Sequence, residues 1–161
     1  MGETIESVRV TKTKRVENVY CRVYLSGAQN NLTDSDWVKI TLNAIDKDLG
    51  LNFNTVTSKF TVPVTGLYDV IGAVEFTTPV TDKRYMVAIY KNGTSIREVS
   101  GHASFVGNLT VECNDKVYLQ EGDEIELYAQ AEAGAATVDV VSGNKATILV
   151  LHLVTKEGTR Q

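Results

Sequence analysis

The side chains able to do chemistry in this chain are few and scattered. His102 and His152, Cys21 and Cys113, and the early aspartates Asp34, Asp36, Asp46 and Asp48 are the groups to weigh first. A hydrolase needs a nucleophile and a base within hydrogen-bond reach, or two carboxylates at a suitable separation. His102 lies in Gly101-His102-Ala103-Ser104 and His152 lies between Leu151 and Leu153; neither sits in a motif that recruits a cysteine or a serine. The chain therefore reads as noncatalytic. Two histidines without paired-cysteine spacing also argue against structural zinc. The aspartates are hard oxygen donors of the kind calcium takes, so Asp34, Asp36, Asp46 and Asp48 form the candidate metal site, and no other cofactor is expected. Asp46-Lys47-Asp48-Leu49-Gly50 lacks the further oxygen ligands and distant glutamate of an EF-hand, and a polar turn is the competing explanation.

Binding is the second kind of chemistry these residue types allow. Aromatic rings flanked by amides and carboxylates give a saccharide apolar faces to stack on and partners for its hydroxyls. Trp37 beside Asp36, at a loop-to-strand junction, is the best candidate, with Tyr90 and Tyr118 as further ligand-binding residues and Tyr24 and Tyr128 of the same type. Each ring is equally able to cover a sheet or a subunit contact. The Asn-X-Ser/Thr matches beginning at Asn31, Asn92 and Asn108 have no secretory context to give them meaning.

Composition narrows the partners. A chain of 161 residues, 43% of them apolar, supplies one substantial core and is short for two domains. Its formal charge of −4 provides no large positive field for a phosphate backbone, so nucleic acid is not an expected partner. No apolar run reaches the roughly 18 residues of a membrane span, and Met1 to Glu6 lack the basic-then-apolar order of a secretory signal. Neither membrane insertion nor a classical export address is expected. Cys21 and Cys113 fall in alternating segments, as two small buried hydrophobes or as one disulfide.

The elements that must position these groups are strands. Phe60, Val62 and Val64 alternate on one face, and after a Thr65-Gly66 turn Tyr68, Val70, Gly72, Val74 and Phe76 share a face of the next strand. Arg84 to Lys91 carries apolar residues on both faces, as a central strand does. Asn92-Gly93 tolerates the positive φ of a type I′ hairpin. Leu109, Val111, Cys113, Val117 and Leu119 share a parity that Asp115 interrupts, which predicts a bulge there. Ile125, Leu127 and Ala129 follow a turn at Gln120-Glu121-Gly122-Asp123. Residues 1–19 are polar, with Arg9, Lys12, Lys14 and Arg15 among acidic neighbours, and read as an arm or anchor; 20–155 form the folded domain and 156–161 a tail.

The last strand, Ala146 to Val154, has Ile148, Val150 and His152 on one face and Leu149, Leu151 and Leu153 on the other. The partner layer of a sandwich covers only one of them. Taking the leucine face as outward predicts an oligomer with Leu149, Leu151 and Leu153 at the interface, joined by Tyr128. Each leucine removed from water contributes about 2 kcal/mol. Short strands about ten residues apart, without a convincing helix, predict an all-β antiparallel sandwich or jelly roll.

Several blocks together resemble the C1q/TNF-like superfamily, particularly its globular C1q-like branch. They are Val38-Lys39-Ile40-Thr41-Leu42-Asn43, the Phe60 to Tyr68 stretch with Pro63 and Gly66, Tyr90-Lys91-Asn92-Gly93, Val117 to Ile125 with its Gly122-Asp123 turn, and the closing strand Ala146 to Val154. The resemblance runs from about residue 20 to residue 154, and it implies a ten-stranded antiparallel jelly roll packed as a homotrimer. First and last strands would lie together near the base, and the loops would form a recognition surface. Lys145 to Leu149 departs from the family's aromatic-glycine closing pattern, and no collagen-like stalk precedes the domain, so bacterial and bacteriophage members are the nearer comparison. That implies a structural or adhesion role on a virion (head fibre, decoration or tail tip) or a bacterial surface, with residues 1–19 contacting capsid or tail proteins. The alternative is a carbohydrate-binding module that recognises a cell-surface glycan.

Overall fold

The computed structural model describes residues 18–32, 36–104, 107–132, 134 and 138–158. Their regular elements are all strands: β1 (Tyr20–Tyr24), β2 (Gln29–Leu32), β3 (Val38–Lys39), β4 (Ala44–Leu49), β5 (Phe53–Asn54), β6 (Lys59–Thr61), β7 (Gly66–Phe76), β8 (Arg84–Lys91), β9 (Thr94–His102), β10 (Leu109–Leu119), β11 (Glu124–Ala131), β12 (Val138–Val140) and β13 (Ile148–Lys156). The described strands number thirteen rather than the expected ten, and β2, β3, β5, β6 and β12 are short pieces of two to four residues. One sheet has the order β2-β12-β7-β13-β1-β4 with β10 also paired to β7; the other has the order β5-β6-β11-β8-β9 with β3 also paired to β11. Neighbouring strands are antiparallel throughout, for example β10 on β7, β13 on β7 and β11 on β8.

Alternation explains which face of each strand is inside. Tyr68, Val70, Val74 and Phe76 of β7, Tyr85, Val87 and Ile89 of β8, and Ile125, Leu127 and Ala129 of β11 are fully buried between the layers, as their parity predicts. Phe60 and Val62 join the same core, and Val64 packs against it. The Tyr68 hydroxyl donates to the Val64 carbonyl at 2.7 Å, which satisfies the phenol inside the core and ties down the chain entering β7. Burial pushes that phenol up to about 12, partly opposed by its bond to Val64. Asn92 and Gly93, at φ 51° and 78°, make the expected turn between β8 and β9.

Four expectations about local structure are corrected. Gly66 does not serve a turn: it lies outside the left-handed region, and a Cβ there would fall 2.4 Å from the Thr155 carbonyl oxygen and 2.8 Å from Leu153 Cδ1. It is small because β13 passes over it. Asp115 makes no bulge, since the β10–β7 register runs unbroken through Asp115 opposite Val70. Asp46 to Leu49 are strand residues of β4 rather than a turn, and the chain reverses after them at Gly50, φ 108°. The faces of β13 are inverted. Leu149 and Leu151 are 0% exposed and Leu153 9%, all within the core, while Ile148, Val150, His152 and Val154 face outward. Just before β1, Val19 is buried and its carbonyl accepts from Leu153 N–H. Residues 1–17 and 159–161 lie outside the described residues.

Candidate functional site

The outer face of the sheet holding β3, β11 and β8 brings together aromatic residues far apart in sequence. Tyr128 is opposite Lys39 on one side and Ala88 on the other, and Tyr90 is opposite Glu126, so Tyr90 and Tyr128 are diagonal neighbours. Their rings stack with centroids 4.0 Å apart and planes at 27°. Trp37 meets Tyr90 edge-on, with centroids 6.2 Å apart and planes at 63°. Both geometries are favourable for aromatic pairs. All three rings are half-buried, and Ala88 and Met86 on the same face of β8 are buried. Two of the candidate ligand-binding residues, Trp37 and Tyr90, are thus in contact. Tyr128, expected at a subunit interface, stacks on Tyr90 in this group.

Charges frame these rings in pairs. Lys39 Nζ bonds Glu126, which is itself buried, and Lys59 Nζ lies 2.7 Å from Glu124. The bond to Glu124 holds the Lys59 ammonium above its ordinary value, with Glu126 adding to it. Burial raises the Tyr90 phenol, helped by Glu98 and Tyr128; burial and then Glu126 raise Tyr128, against Lys59. Both hydroxyls therefore stay protonated, as donors. Asp36 and Glu98 are exposed, and Glu98 stands opposite Ala88 in register. Tyr118 is elsewhere. It is 46% exposed at the end of β10 on the other sheet, where its hydroxyl donates to Glu157, the first cause of its raised pKa.

The described candidate metal ligands, Asp36, Asp46 and Asp48, form no metal-holding group. Asp46 Oδ2 lies 3.2 Å from Arg22 Nε, close enough for an ion pair but not aligned as a hydrogen bond, and Asp48 Oδ2 accepts from Phe53 N–H at 2.9 Å. Asp36 is exposed beside Trp37, and Asp34 lies outside the described residues. Among the described residues no group of three or more His, Cys, Asp or Glu is placed to hold a metal ion. Cys21 and Cys113 are free and buried; burial and then Asp48 push Cys21 up to about 12, and burial raises Cys113, so neither supplies a thiolate. An open cleft of about 690 Å³ lies between Leu51–Thr55, Thr61–Pro63 and Glu121–Gly122; Glu121 is its one titratable lining residue, so it offers no acid–base pair.

A second surface follows from the inverted parity of β13. On the outward face of its sheet, Tyr24, Ile148 and Ala73 form one cross-strand row, Arg22, Val150 and Ile71 the next, and Tyr20, His152 and Asp69 a third. The first two rows make a stripe of Tyr24, Ile148, Ala73, Val150 and Ile71 down the middle of the sheet. Val154, 40% exposed, continues the outward set of β13. The sequence held one signal for this: His152, the sole polar residue between Ile148 and Val154, marks the face that meets solvent or a neighbour.

The loops at one end are tied by Asp123. It is buried, its Oδ1 accepts from Asn92 Nδ2 at 2.8 Å, and its Oδ2 accepts from Gln120 N–H at 2.8 Å and lies 3.2 Å from Lys91 Nζ. Burial acts to raise its pKa, but the bonds from Gln120, Asn92 and Lys91 outweigh it and hold the carboxyl below its ordinary value. The carboxylate thus stabilises the fold at neutral pH. That contribution is present above the unfolded value of about 3.9 and is lost as pH falls through the lower folded one. Asp123→Ala is expected to cost about 2–3 kcal/mol in urea unfolding at pH 7, because two donors and a cation lose their acceptor. At pH 2 the gap between variant and parent should narrow; an unchanged gap would contradict the ionic role.

No protein-family model and no curated protein sequence matches the chain. Solved structures do. The fold is similar to the globular domain of zebrafish complement 1qA protein, at 15% identity and TM-score 0.62, over 86% of this chain and 99% of that one. It is similar to Eiger TNF from S. frugiperda, at 11% identity and TM-score 0.62, over 90% and 98%. It is also similar to murine APRIL, at 15% identity and TM-score 0.60, over 85% and 99%. Two antiparallel sheets with β1 and β13 adjacent, and the likeness to these structures over nearly their whole length, show that the chain has an all-β jelly-roll fold like that of C1q and TNF globular domains.

Proposed function

We propose that the chain is a noncatalytic, homotrimeric structural or adhesion domain displayed on a phage virion or a bacterial surface. The observation that supports it is the apolar stripe Tyr24, Ile148, Ala73, Val150 and Ile71 on the outward face of the β1–β13–β7 sheet, where Tyr24, Ile148, Val150 and Ile71 remain partly exposed. A fold whose relatives bear the names of complement and TNF proteins favours presentation and recognition over chemistry. In this reading the stripe packs subunits together, the outer faces of the second sheet look outward, and residues 1–19 anchor the assembly to a capsid, a tail or a cell envelope. Mass spectrometry of purified virus particles and of peptides shaved by protease from intact source cells tests the location. Recovery of this chain in either fraction is the expected result. Recovery from the soluble cell interior alone would contradict it.

A carbohydrate-binding role is the second reading. It is favoured by the grouping of Trp37, Tyr90 and Tyr128 on one sheet face, with Asp36 and Glu98 beside them. The two readings are compatible, since a trimer would present three such faces.

A further inference from the structure

We propose that the Trp37–Tyr90–Tyr128 face selects neutral saccharides and turns away acidic ones. The inference rests on the carbohydrate reading above and concerns the charge class of the ligand. The three rings form one group across β3, β11 and β8, with successive centroids 6.2 Å and 4.0 Å apart. Glu98 stands in the same cross-strand row as Tyr128, with the small residue Ala88 between them, so the carboxylate lies one strand away from the rings on the same face.

The charges around the rings decide the class. The nearby cations are already used: Lys39 by Glu126, Lys59 by Glu124 and, farther along the face, Arg84 by Glu132. Among the described residues of this face, the carboxylates left facing solvent without a cation are Asp36, next to the tryptophan, and Glu98, close enough to raise the Tyr90 phenol. A neutral pyranose brings C–H faces to the rings and hydroxyl donors to these two acceptors. A uronate or sialic acid brings a further carboxylate to a face whose spare charges are already negative. Removing Lys39 or Lys59 from its partner to receive it would strand Glu126 or Glu124.

Trp37 is the only tryptophan in the chain, so its emission reports directly on this face. The intact protein is titrated at fixed ionic strength with neutral gluco-, galacto- and manno-oligosaccharides and with oligogalacturonates and alginate oligomers, and calorimetry repeats the positive cases. At least one neutral saccharide is expected to shift Trp37 emission saturably, with uronates weaker by about tenfold or more. Tyr128→Ala should weaken the neutral ligand by about tenfold while the melting temperature is nearly unchanged, and Glu98→Gln should narrow the discrimination against uronates. Uronates binding as tightly as neutral sugars would overturn the inference and leave the carbohydrate reading standing. Neutral binding unaffected by Tyr128→Ala would likewise overturn the inference by moving the site elsewhere. Saturable binding by no saccharide of either class would overturn both.

Discussion

Ile148→Asp is expected to give a folded monomer in place of a trimer, whereas truncating the next residue, Leu149→Ala, gives a trimer of a less stable fold. The two side chains are adjacent on β13 and point to opposite faces. Ile148 lies outward between Tyr24 and Ala73, and in a separate subunit an aspartate there meets water. In an assembly that covers this stripe, each carboxylate would be desolvated without a partner, at an effective cost of several kcal/mol per ion. Arg22, the nearest cation, already pairs with Asp46. Leu149 is fully buried in the core, so its truncation removes apolar contact and leaves a cavity, at about 2–5 kcal/mol in unfolding free energy. Sedimentation and urea unfolding on both variants separate the effects. A trimeric Ile148→Asp would move the interface off this stripe.

Gly66→Ala is expected to destabilise the fold by about 3 kcal/mol, at the upper end of what overpacking costs. The added methyl would meet the Thr155 carbonyl oxygen at 2.4 Å and the Lys156 Cα at 3.1 Å, and backbone atoms cannot step aside as the tip of a side chain can. Relief requires β13 to shift away from β7 at the register pair Lys156–Gly66, beside the core leucine Leu153. Gly27→Ala is the control: a methyl there would meet nothing within 4 Å, and its φ is not left-handed. It should be neutral, or stabilising by about 0.4–1 kcal/mol through the unfolded chain. Equal unfolding midpoints for the two variants would contradict the close-approach role of Gly66.

The sheets are legible in the sequence because period-two alternation is a local signal. Phe60–Val62–Val64, Tyr68–Phe76, Tyr85–Ile89 and Ile125–Ala129 each put their apolar set inward as expected. Where both parities are apolar the signal vanishes, and the faces of β13 invert for that reason: nothing local separates an Ile148/Val150 face from a Leu149/Leu151 face except His152. Gly66 misleads because a glycine needed for turning and one needed for close packing are identical in sequence. The Gly66 constraint comes from Thr155, on a strand that returns only at the end of the chain. Asp46 and Asp48 look like turn residues by composition, yet both lie in β4, which pairs Asp48 with Cys21 of β1 and shifts register at Asp46, an example of tertiary pairing overriding local propensity.

The candidate site is half legible for a related reason. Trp37 and Tyr90 are recognisable as residue types, but their union with Tyr128 depends on β11 lying between β3 and β8. Tyr118 is an equal candidate on chemistry alone, and it is the strand order that puts it on the other sheet. Among the described residues the aspartates form no metal-holding group, and Asp46 and Asp48 are engaged by Arg22 and the Phe53 N–H.

The assembly itself is the claim on which display, anchoring and the outward-facing aromatic surface all depend. Multi-angle light scattering on the size-exclusion peak of the intact chain, at micromolar concentration and physiological salt, measures it directly. The expected mass is three times the 17.6 kDa of one chain, unchanged by chelator. A peak that holds at 17.6 kDa as concentration is raised would contradict the account.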